Sequence, residues 1–405
     1  MKKRAVITGI GIVTSLGAGV EVTALALKES RSAIGPITSF DASKHRTNQG
    51  GEVSLEIIKS AFDKDSKYYL DRSSRLLLRA CRDALESAKL MPVLGQFIKA
   101  PLIVGTTLGG MLTSQRFHRA MLLEEDISKY VPLMRDSLAC HQPFHVASIV
   151  GIIGETAVLN NACASGLSAI GCAFERVRCG KTAVAIAGGY DEMSDFTHAG
   201  FNALQLVTSD KCRPFDKNRS GLVLGEGSGV IVIEELEHAM ERRANICAEI
   251  IGFGQSSDAY HLTKPDPEAQ GAACAIRMAI DEAGIVPELI DYVNAHGTGT
   301  PSNDSMETKA FHLALGAYAQ KVPVSSTKPF TGHTLGASGA IEVIFSVISM
   351  QENIIPENLN FKTPDLDCNL NLVTGQSKKQ NLKVVLSTSF GFGGSNAAML
   401  LRKLG

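Results

Sequence analysis

Hydrophobic and polar positions along the chain alternate between a pattern typical of buried strands and one typical of amphipathic helices. Short apolar runs bounded by Gly or polar residues predict strands at Arg4–Ile12, Ala100–Val104, Thr182–Ala187 and Gly229–Ile233. Apolar residues three and four positions apart predict helices at Arg72–Leu90 and Gly166–Val177. This alternation predicts an α/β protein whose sheet is mostly buried between helical layers.

The order of these segments repeats along the chain. Each repeat begins with a Gly-containing strand, continues with a helix and a short strand ending in a Gly/Thr turn, and later has a helix that starts with small residues. The paired segments are Ala5–Gly11 with Ala248–Gly254, Ala84–Ala88 with Ala279–Ala283, Ile103–Thr107 with Tyr292–His296, and the helices after Cys163 and His333. Four correspondences in one order predict a duplication, with an N-terminal half of residues 1–245 and a C-terminal half of residues 246–405.

Composition narrows the class of protein. The chain has 405 residues, with 40 Lys and Arg against 41 Asp and Glu, a balance that argues against nucleic-acid binding but allows a local basic patch. Its nine cysteines form no CxxC pair, so neither a metal site nor a disulfide framework is indicated. We find no signal-peptide pattern and no apolar run long enough to cross a bilayer, and therefore expect a cytoplasmic protein without membrane contact.

Cys163 is the first candidate for chemistry. It lies between an apolar strand, Ala157–Leu159, and an amphipathic helix, which places it at a helix N-terminus, where the macrodipole favours the reactive thiolate. Free backbone N–H groups in such a turn could hold an oxyanion. Most free cysteines are only small buried hydrophobic residues, however, so position alone leaves both interpretations open.

Two histidines and a lysine extend the hypothesis. His296 and His333 each follow a strand-like segment and are flanked by Gly and small polar residues, and Lys328 precedes His333. Ligands bind at such strand ends in α/β proteins. A cysteine with two histidines and a cation suits carbon–carbon bond formation through a thioester, because two imidazoles can donate hydrogen bonds to the enolate left by loss of CO2.

The chain resembles the elongating β-ketoacyl-acyl-carrier-protein synthases of the thiolase-like superfamily over essentially its whole length. The motifs that carry the resemblance are Val6–Gly11, Ala162–Gly166, Arg213–Gly221, Gly225–Gly229, the segments around His296 and His333, and Ser389–Asn396. The resemblance implies a five-layered αβαβα fold of two duplicated halves. It also implies an acyl carrier protein as partner, and either a homodimer or a heterodimer with a homologous chain-length factor.

Roles for individual residues follow from the same resemblance. Cys163 is expected to accept the acyl group, His296 and His333 to promote decarboxylation, and Lys328 to support the histidines. The further assignments are Glu342, Phe392 and Asp304 as supporting residues, Thr298 and Thr300 for pantetheine, Leu108, Phe390 and Phe392 for the acyl pocket and gate, and Lys64, Lys67 and Arg72 for carrier docking. No metal or resident cofactor is implied, because the 4′-phosphopantetheine arrives on the carrier.

The implied reaction is the decarboxylative Claisen condensation of malonyl-carrier protein with an acyl group held on Cys163. A thiolase would need a late second cysteine, and none follows Cys368. An initiating synthase would replace a catalytic histidine by Asn, and a chain-length factor would lack the cysteine. One alternative stays open: the catalytic ketosynthase subunit of a type II polyketide or aryl-polyene system, which Asn303–Glu307 and Lys328–Phe330 resemble slightly more.

Two departures from the family pattern concern acyl specificity. Asn160 and Asn161 stand where the housekeeping enzymes usually carry Ser or Thr before the Ala-Cys pair. The segment Asp126–His145, which in the family reaches toward the dimer interface and the acyl pocket, is short and unlike that of the fatty-acid enzymes. Both the fatty-acid and the polyketide pathway therefore remain open.

Overall fold

A computed structural model of the protein describes residues 2–60, 70–93, 95–134 and 137–404. Its strands are β1 Ala5–Thr14, β2 Gly17–Ala18, β3 Gly35–Pro36, β4 Gln49–Gly50, β5 Ile98–Lys99, β6 Leu102–Gly105, β7 Ile152–Ile153, β8 Thr156–Leu159, β9 Val184–Asp191, β10 Gly227–Glu235, β11 Ala248–Ser257, β12 Tyr292–Asn294, β13 Pro323–Ser325, β14 Ile354–Ile355, β15 Asn371–Leu372, β16 Lys378–Lys379, β17 Val384–Gly391 and β18 Ser395–Arg402. Its α-helices are α1 Val20–Lys28, α2 Leu55–Ser60, α3 Arg72–Ser87, α4 Met111–Leu122, α5 His141–Val150, α6 Ser165–Arg178, α7 Asp195–Ala203, α8 Leu236–Glu241, α9 Gln270–Ala283, α10 Pro301–Leu315, α11 Lys328–Thr331 and α12 Ser338–Glu352.

The main sheet has the same internal order in each half. In the N-terminal half the order is β1-β10-β9-β6-β8, and in the C-terminal half it is β11-β18-β17-β12-β13, followed by β15. The first two pairings of each series are antiparallel and the next two are parallel. The predicted repeats fall on equivalent elements, β1 with β11, α3 with α9, β6 with β12, and α6 with α12. The duplicated architecture is therefore confirmed.

Three large apolar cores hold five layers together. One core packs α3 and α5 on the outer face of the N-terminal strands, and a second packs α9 and α10 on the outer face of the C-terminal strands. The third lies between the two sets of strands and contains α6 and α12. Every residue from Ser338 to Met350 on α12 is buried, which explains why that helix has almost no polar face. The order of layers is αβαβα, as the resemblance implied.

Glycines allow the two central helices to approach each other closely. A Cβ on Gly166 of α6 would lie 2.7 Å from the carbonyl oxygen of Gly336, and one on Gly339 of α12 would lie 2.7 Å from the Cβ of Leu167. Larger side chains would force the helices apart. This close packing brings the turn before α6 next to the turn before α12, and those turns carry Cys163 and His333.

The two halves are joined by a short seam. β1 pairs with β11 through Ala5 with Ile250, Val6 with Glu249, and Ile7 with Ala248. The buried Glu249 carboxylate accepts hydrogen bonds from Arg4 at 2.7 Å and from Arg402 at 2.6 Å. Since the halves share one sheet, the division at residues 245 and 246 stays a prediction.

Most predicted boundaries shift by a few residues, and the shift at Ala100–Val104 has a clear physical cause. Pro101 has no N–H to give to a ladder, and neither Ala100 nor Pro101 belongs to a strand. Ile98–Lys99 pairs instead with Ile152–Ile153 in a separate two-stranded sheet, and the main-sheet strand begins at Leu102. None of the helices in the described ranges is both long enough and apolar enough to cross a membrane.

Candidate active site

Cys163 lies in a turn between β8 and α6, two residues before the helix begins. The preceding Ala162 has a left-handed φ of 54°. The Ser165 hydroxyl donates to the carbonyl of Ala162 at 2.6 Å and accepts from the N–H of Asn161 at 2.9 Å, which fixes the turn. The Cys163 side chain is only 6% exposed and lines a cavity of about 330 Å³.

The two histidines reach the same cavity and lie edge to face. Their ring centroids are 5.3 Å apart at an interplanar angle of 85°. Nδ1 of His333 accepts the backbone N–H of Leu335 at 3.1 Å, and Nδ1 of His296 lies 3.1 Å from the ammonium of Lys328. Because Nδ1 is an acceptor in both rings, the ring hydrogen lies on Nε2, the nitrogen that remains available to a ligand.

Both imidazoles are neutral. Burial lowers the pKa of His296 well below its usual value, and the positive charge of Lys328 lowers it further. Burial and Lys328 act in the same way on the pKa of His333. Two neutral Nε2–H groups converging on one cavity form a pair of hydrogen-bond donors of the kind that stabilises a developing oxyanion.

Lys328 and Glu342 support His296 from behind. Lys328 is 2% exposed, and its ammonium donates to Oε1 of Glu342 at 2.5 Å and to the carbonyl oxygen of His296. Burial raises the pKa of Glu342 to about 7, and the neighbouring ammonium opposes that rise. Lys328 therefore bridges Glu342 and His296, and the supporting roles expected for Lys328 and Glu342 stay predictions.

Burial and nearby groups act in opposite directions on the Cys163 thiol. Burial raises its pKa to about 12, while the charge of Lys328 and the N–H of Phe392 lower it. The helix start, which favours the thiolate, acts in the same direction as Lys328. The role of Cys163 as nucleophile stays a prediction.

Thr298 and Thr300 line the same cavity and contact each other through their hydroxyl groups at 2.8 Å. The Asp304 carboxylate accepts the N–H of Gly299 at 3.2 Å and the N–H of Phe215 at 2.7 Å. Asp304 thus fixes the loop that carries both threonines without entering the cavity.

Phe390 and Phe392 form one wall of the cavity. The Phe390 ring lies edge to face against His296, with centroids 5.9 Å apart. Phe392 stacks on Phe201 at 5.6 Å, and its N–H faces the sulfur of Cys163. Leu108 packs against an apolar cluster formed by Met193, Val207, Leu222, Leu224 and Leu335, outside the lining of the cavity that holds Cys163. Its assignment to the acyl pocket stays a prediction.

Among the described residues, Sγ of Cys163 and one ring nitrogen of each catalytic-site histidine lie within 4.8 Å of one another, a set that could hold a metal ion. A metal ligand must present a lone pair. Here Nε2 carries the ring hydrogen and Nδ1 is occupied by its own donor. The arrangement therefore suits hydrogen-bond donation better than metal binding.

Sequence reasoning missed two buried carboxylates next to these residues. Glu307 accepts the N–H groups of His296 and Gly297, each at 2.7 Å, and burial raises its pKa to about 7. Asp191, at the end of β9, accepts hydrogen bonds from both halves of the protein. The i, i+3 spacing of Asp304 and Glu307, in the helix that follows the His296 loop, could have indicated that both carboxylates face that loop. No comparable pattern in the sequence indicates the role of Asp191.

The predicted docking residues are not supported as a group. Lys64 and Lys67 lie outside the described residues. Arg72 is wrong as a docking residue, because its guanidinium turns inward and binds the buried carboxylate of Glu226 and the carbonyl of Val53. A basic residue at the start of a helix looked exposed in the sequence, but its acidic partner is 154 positions away.

Comparisons with known proteins agree with this site. Residues 2–239 match the family model described as β-ketoacyl synthase, N-terminal domain, and residues 247–362 match the β-ketoacyl synthase, C-terminal domain. A 3-oxoacyl-[acyl-carrier-protein] synthase 2 from Synechocystis sp. is 38% identical over 410 residues, which cover 99% of this chain and 98% of the relative.

Two solved structures are also similar over their full lengths. The ishigamide ketosynthase/chain length factor has a TM-score of 0.94 at 31% identity, with 100% of both chains covered. A type II PKS acyl-carrier protein in complex with its ketosynthase bound to the hexaketide has a TM-score of 0.88 at 26% identity, again with 100% of both chains covered.

Fold and site together define a condensing enzyme of the thiolase-like class. Within that class the chain belongs to the β-ketoacyl synthase family, since the family models match most of its length.

Proposed function

We propose that this protein condenses malonyl-acyl-carrier protein with an acyl group held as a thioester on Cys163, releasing CO2 and a β-ketoacyl-carrier protein. The observation that carries the proposal is the convergence of one thiol and two neutral Nε2–H donors on a single cavity. Cys163 is the nucleophile, and His296 and His333 are the donors. Lys328 and Glu342 are positioning residues.

In the first half-reaction the sulfur of Cys163 attacks the acyl thioester of the carrier. The carbon–sulfur bond to pantetheine breaks, and the thiol proton of Cys163 leaves with the pantetheine sulfur, so no external base is required. The N–H groups of Phe392 and Cys163 would bind the oxyanion of the tetrahedral intermediate. Thr298 and Thr300 would bind the pantetheine arm.

In the second half-reaction malonyl-pantetheine occupies the same cavity. Its carboxylate leaves as CO2, and the bonding electrons form an enolate whose oxygen accepts hydrogen bonds from Nε2–H of His296 and His333. The enolate carbon then attacks the acyl carbonyl, and the carbon–sulfur bond to Cys163 breaks. Lys328 keeps His296 neutral and oriented, because its ammonium occupies Nδ1.

The proposed partners are an acyl carrier protein and a second ketosynthase-fold chain. We place the reaction in the cytoplasm. The carrier supplies the pantetheine, so no resident cofactor is proposed.

One edge of the main sheet supports pairing with a second chain. Within the described ranges, no strand pairs with the outer edge of β8, and exposed Phe144 and Ile153 lie nearby in sequence. An open edge beside apolar side chains favours pairing with another chain. We propose a second copy as that chain. The similarity to a ketosynthase/chain length factor keeps a heterodimer as the alternative.

The deciding experiment supplies purified protein with acyl-carrier protein and malonyl-carrier protein, and follows the carrier by mass spectrometry. The expected product is a carrier whose acyl group is two carbons longer and bears a β-keto group, with one CO2 released per condensation. Acylation of the protein without any elongated product, under conditions where a homologous synthase elongates the same substrates, would contradict the proposal. Elongation only after addition of a chain-length factor would favour the polyketide alternative.

A further inference from the structure

Asp191 occupies a position that connects the two halves of the active site. It ends β9 in the N-terminal half and is fully buried. Its Oδ1 accepts the hydroxyl of Thr106 at 2.6 Å and the N–H of Leu108 at 3.0 Å. Its Oδ2 accepts the N–H of Thr107 at 2.9 Å and the N–H of Gly336 at 2.6 Å. Four donors thus use the full accepting capacity of one carboxylate.

Gly336 belongs to the turn that orients His333. Of the two residues between them, Leu335 has a left-handed φ of 54°, a conformation that is strained for a leucine. Its own N–H donates to Nδ1 of His333 at 3.1 Å, and the next N–H, that of Gly336, donates to Asp191. The peptide on each side of Leu335 is therefore held by one hydrogen bond, and together they fix its φ and ψ.

We propose that Asp191 is a positioning residue for His333: it holds the strained Leu335 turn so that the Leu335 N–H keeps His333 in the Nε2–H tautomer. Without the carboxylate, Leu335 relaxes toward an unstrained conformation. Its N–H then leaves Nδ1, whose other partner is the Ser338 hydroxyl at 2.9 Å. A hydroxyl can either donate or accept, so it does not fix the tautomer, and the ring no longer presents a fixed Nε2–H to the cavity. This inference rests on the proposed function, since it takes His333 as an enolate donor.

Space around the turn supports this role. A Cβ on Gly336 would lie 2.6 Å from the N of Thr107 and 2.8 Å from Oδ2 of Asp191. The carboxylate therefore lies between the Thr106–Leu108 loop and the turn that carries His333, in contact with both. Asp191 also lies close enough to Cys163 for its charge to raise the pKa of the thiol.

The test compares Asp191→Asn with Glu192→Gln. Glu192 is the adjacent acid and is also buried, but it accepts the N–H of Leu112 rather than that of an active-site turn. Asp191→Asn is isosteric yet turns an NH2 group toward N–H donors. In Asp191→Asn we expect kcat for condensation to fall about 100-fold, the typical loss on removing one oxyanion donor. Acyl transfer to Cys163 should stay within several-fold of the parent rate. Glu192→Gln should match the parent in condensation and in acyl transfer.

A spectroscopic measurement separates positioning from general damage. Nitrogen NMR of protein labelled with ¹⁵N-histidine distinguishes the two ring tautomers, and His333→Ala assigns the His333 signals. We expect an Nε2–H pattern in the parent and in Glu192→Gln, and a mixture of tautomers in Asp191→Asn. Asp191→Glu, which keeps the carboxylate, should recover part of the condensation rate.

If Asp191→Asn does not fold, Thr106→Val carries the test, because it removes one of the four donors and should shift the same two measurements by a smaller factor. The inference is overturned if folded Asp191→Asn shows an unchanged condensation rate and an unchanged His333 spectrum. The same result for folded Thr106→Val overturns it where Asp191→Asn does not fold. Failure of the proposed function looks different: His333→Ala itself would then retain condensation.

Discussion

The ammonium of Lys328 lies 2.5 Å from Oε1 of Glu342, and the two side chains form a buried ion pair directly behind the His296 ring. Oε2 of Glu342 has no hydrogen-bond partner among the described residues. The charge of the buried Glu342 carboxylate is therefore compensated through a single contact, the one with Lys328. Breaking that contact should affect both the stability of the protein and the protonation of His296.

We predict that Lys328→Met lowers the free energy of unfolding by about 3–5 kcal/mol, because it leaves the Glu342 carboxylate buried without a cation. The double variant Lys328→Met, Glu342→Leu should lose less than the sum of the single changes, since no charge is then left unpaired. Denaturant unfolding of the parent, both single variants and the double variant measures this coupling. Strict additivity would mean that the two side chains do not depend on each other.

Cys163 should be the residue that becomes acylated. Incubation with acyl-carrier protein should give one adduct, which peptide mass spectrometry places on Cys163, because its sulfur is the one that lines the cavity with both histidines. Cys172→Ala, which removes a half-buried thiol from the same half, is the matched control and should be labelled like the parent. Equal labelling of Cys163→Ala would show that another residue carries the acyl group.

The histidines should separate the two half-reactions. His296→Ala or His333→Ala removes an enolate donor, so condensation should fall about 100-fold or more, while acyl transfer to Cys163 persists because its oxyanion is bound by backbone N–H groups. Single-turnover assays of adduct formation and of CO2 release measure the two steps separately. Complete loss of acylation in both variants would refute this division.

Carrier docking is predicted from the sequence for Lys64 and Lys67, which belong to a basic stretch that suits an acidic partner. Charges that serve docking mainly accelerate the encounter. The variant Lys64→Glu, Lys67→Glu should raise the KM for the carrier several-fold at low salt and much less at high salt, with kcat unchanged. An unchanged KM at low salt would place docking elsewhere. Arg72→Met provides the contrast. It should lower stability by about 3–5 kcal/mol by leaving Glu226 without its cation, and should leave the carrier KM of the folded protein unchanged.

Glu192 should make stability depend on pH. Its pKa is raised well above the usual value by burial and by the nearby Asp71 and Glu226 carboxylates, so between its unfolded and folded pKa the folded state holds the proton more tightly. Stability from this group is therefore full at acidic pH and lost as pH rises. Glu192→Gln cannot ionise and should raise Tm by about 2 °C or more at pH 8, with a smaller gain at pH 5. An equal gain in Tm at pH 5 and pH 8 would mean that the substitution acts through packing and not through ionisation.

The sequence predicted the parts of the fold that depend on local pattern. The strand predicted at Thr182–Ala187 is found at Val184–Asp191, and the helix predicted at Arg72–Leu90 is found at Arg72–Ser87. Both follow from runs and spacing of apolar residues, as the turn of Cys163 follows from small residues. The contribution of Asp191 could not be predicted, because it depends on a contact with Gly336, 145 positions away. Arg72 was misplaced for a related reason: its side chain is held by Glu226, 154 positions away in the sequence.

The three-residue seam between β1 and β11 limits how relatives could recombine. An exchange of whole halves at residue 245 would join a foreign β11 to the resident β1, and with it a foreign partner for Arg4. A chimaera keeps this contact intact only if Arg4, Glu249 and Arg402 come from the same parent or from parents that share them. A single crossover between residues 4 and 402 divides the trio, whereas a double crossover inside one half exchanges a segment and leaves it together. Between parents that differ at these three positions, double crossovers of that kind should yield folded protein more often, so the two halves are coupled in recombination through this contact.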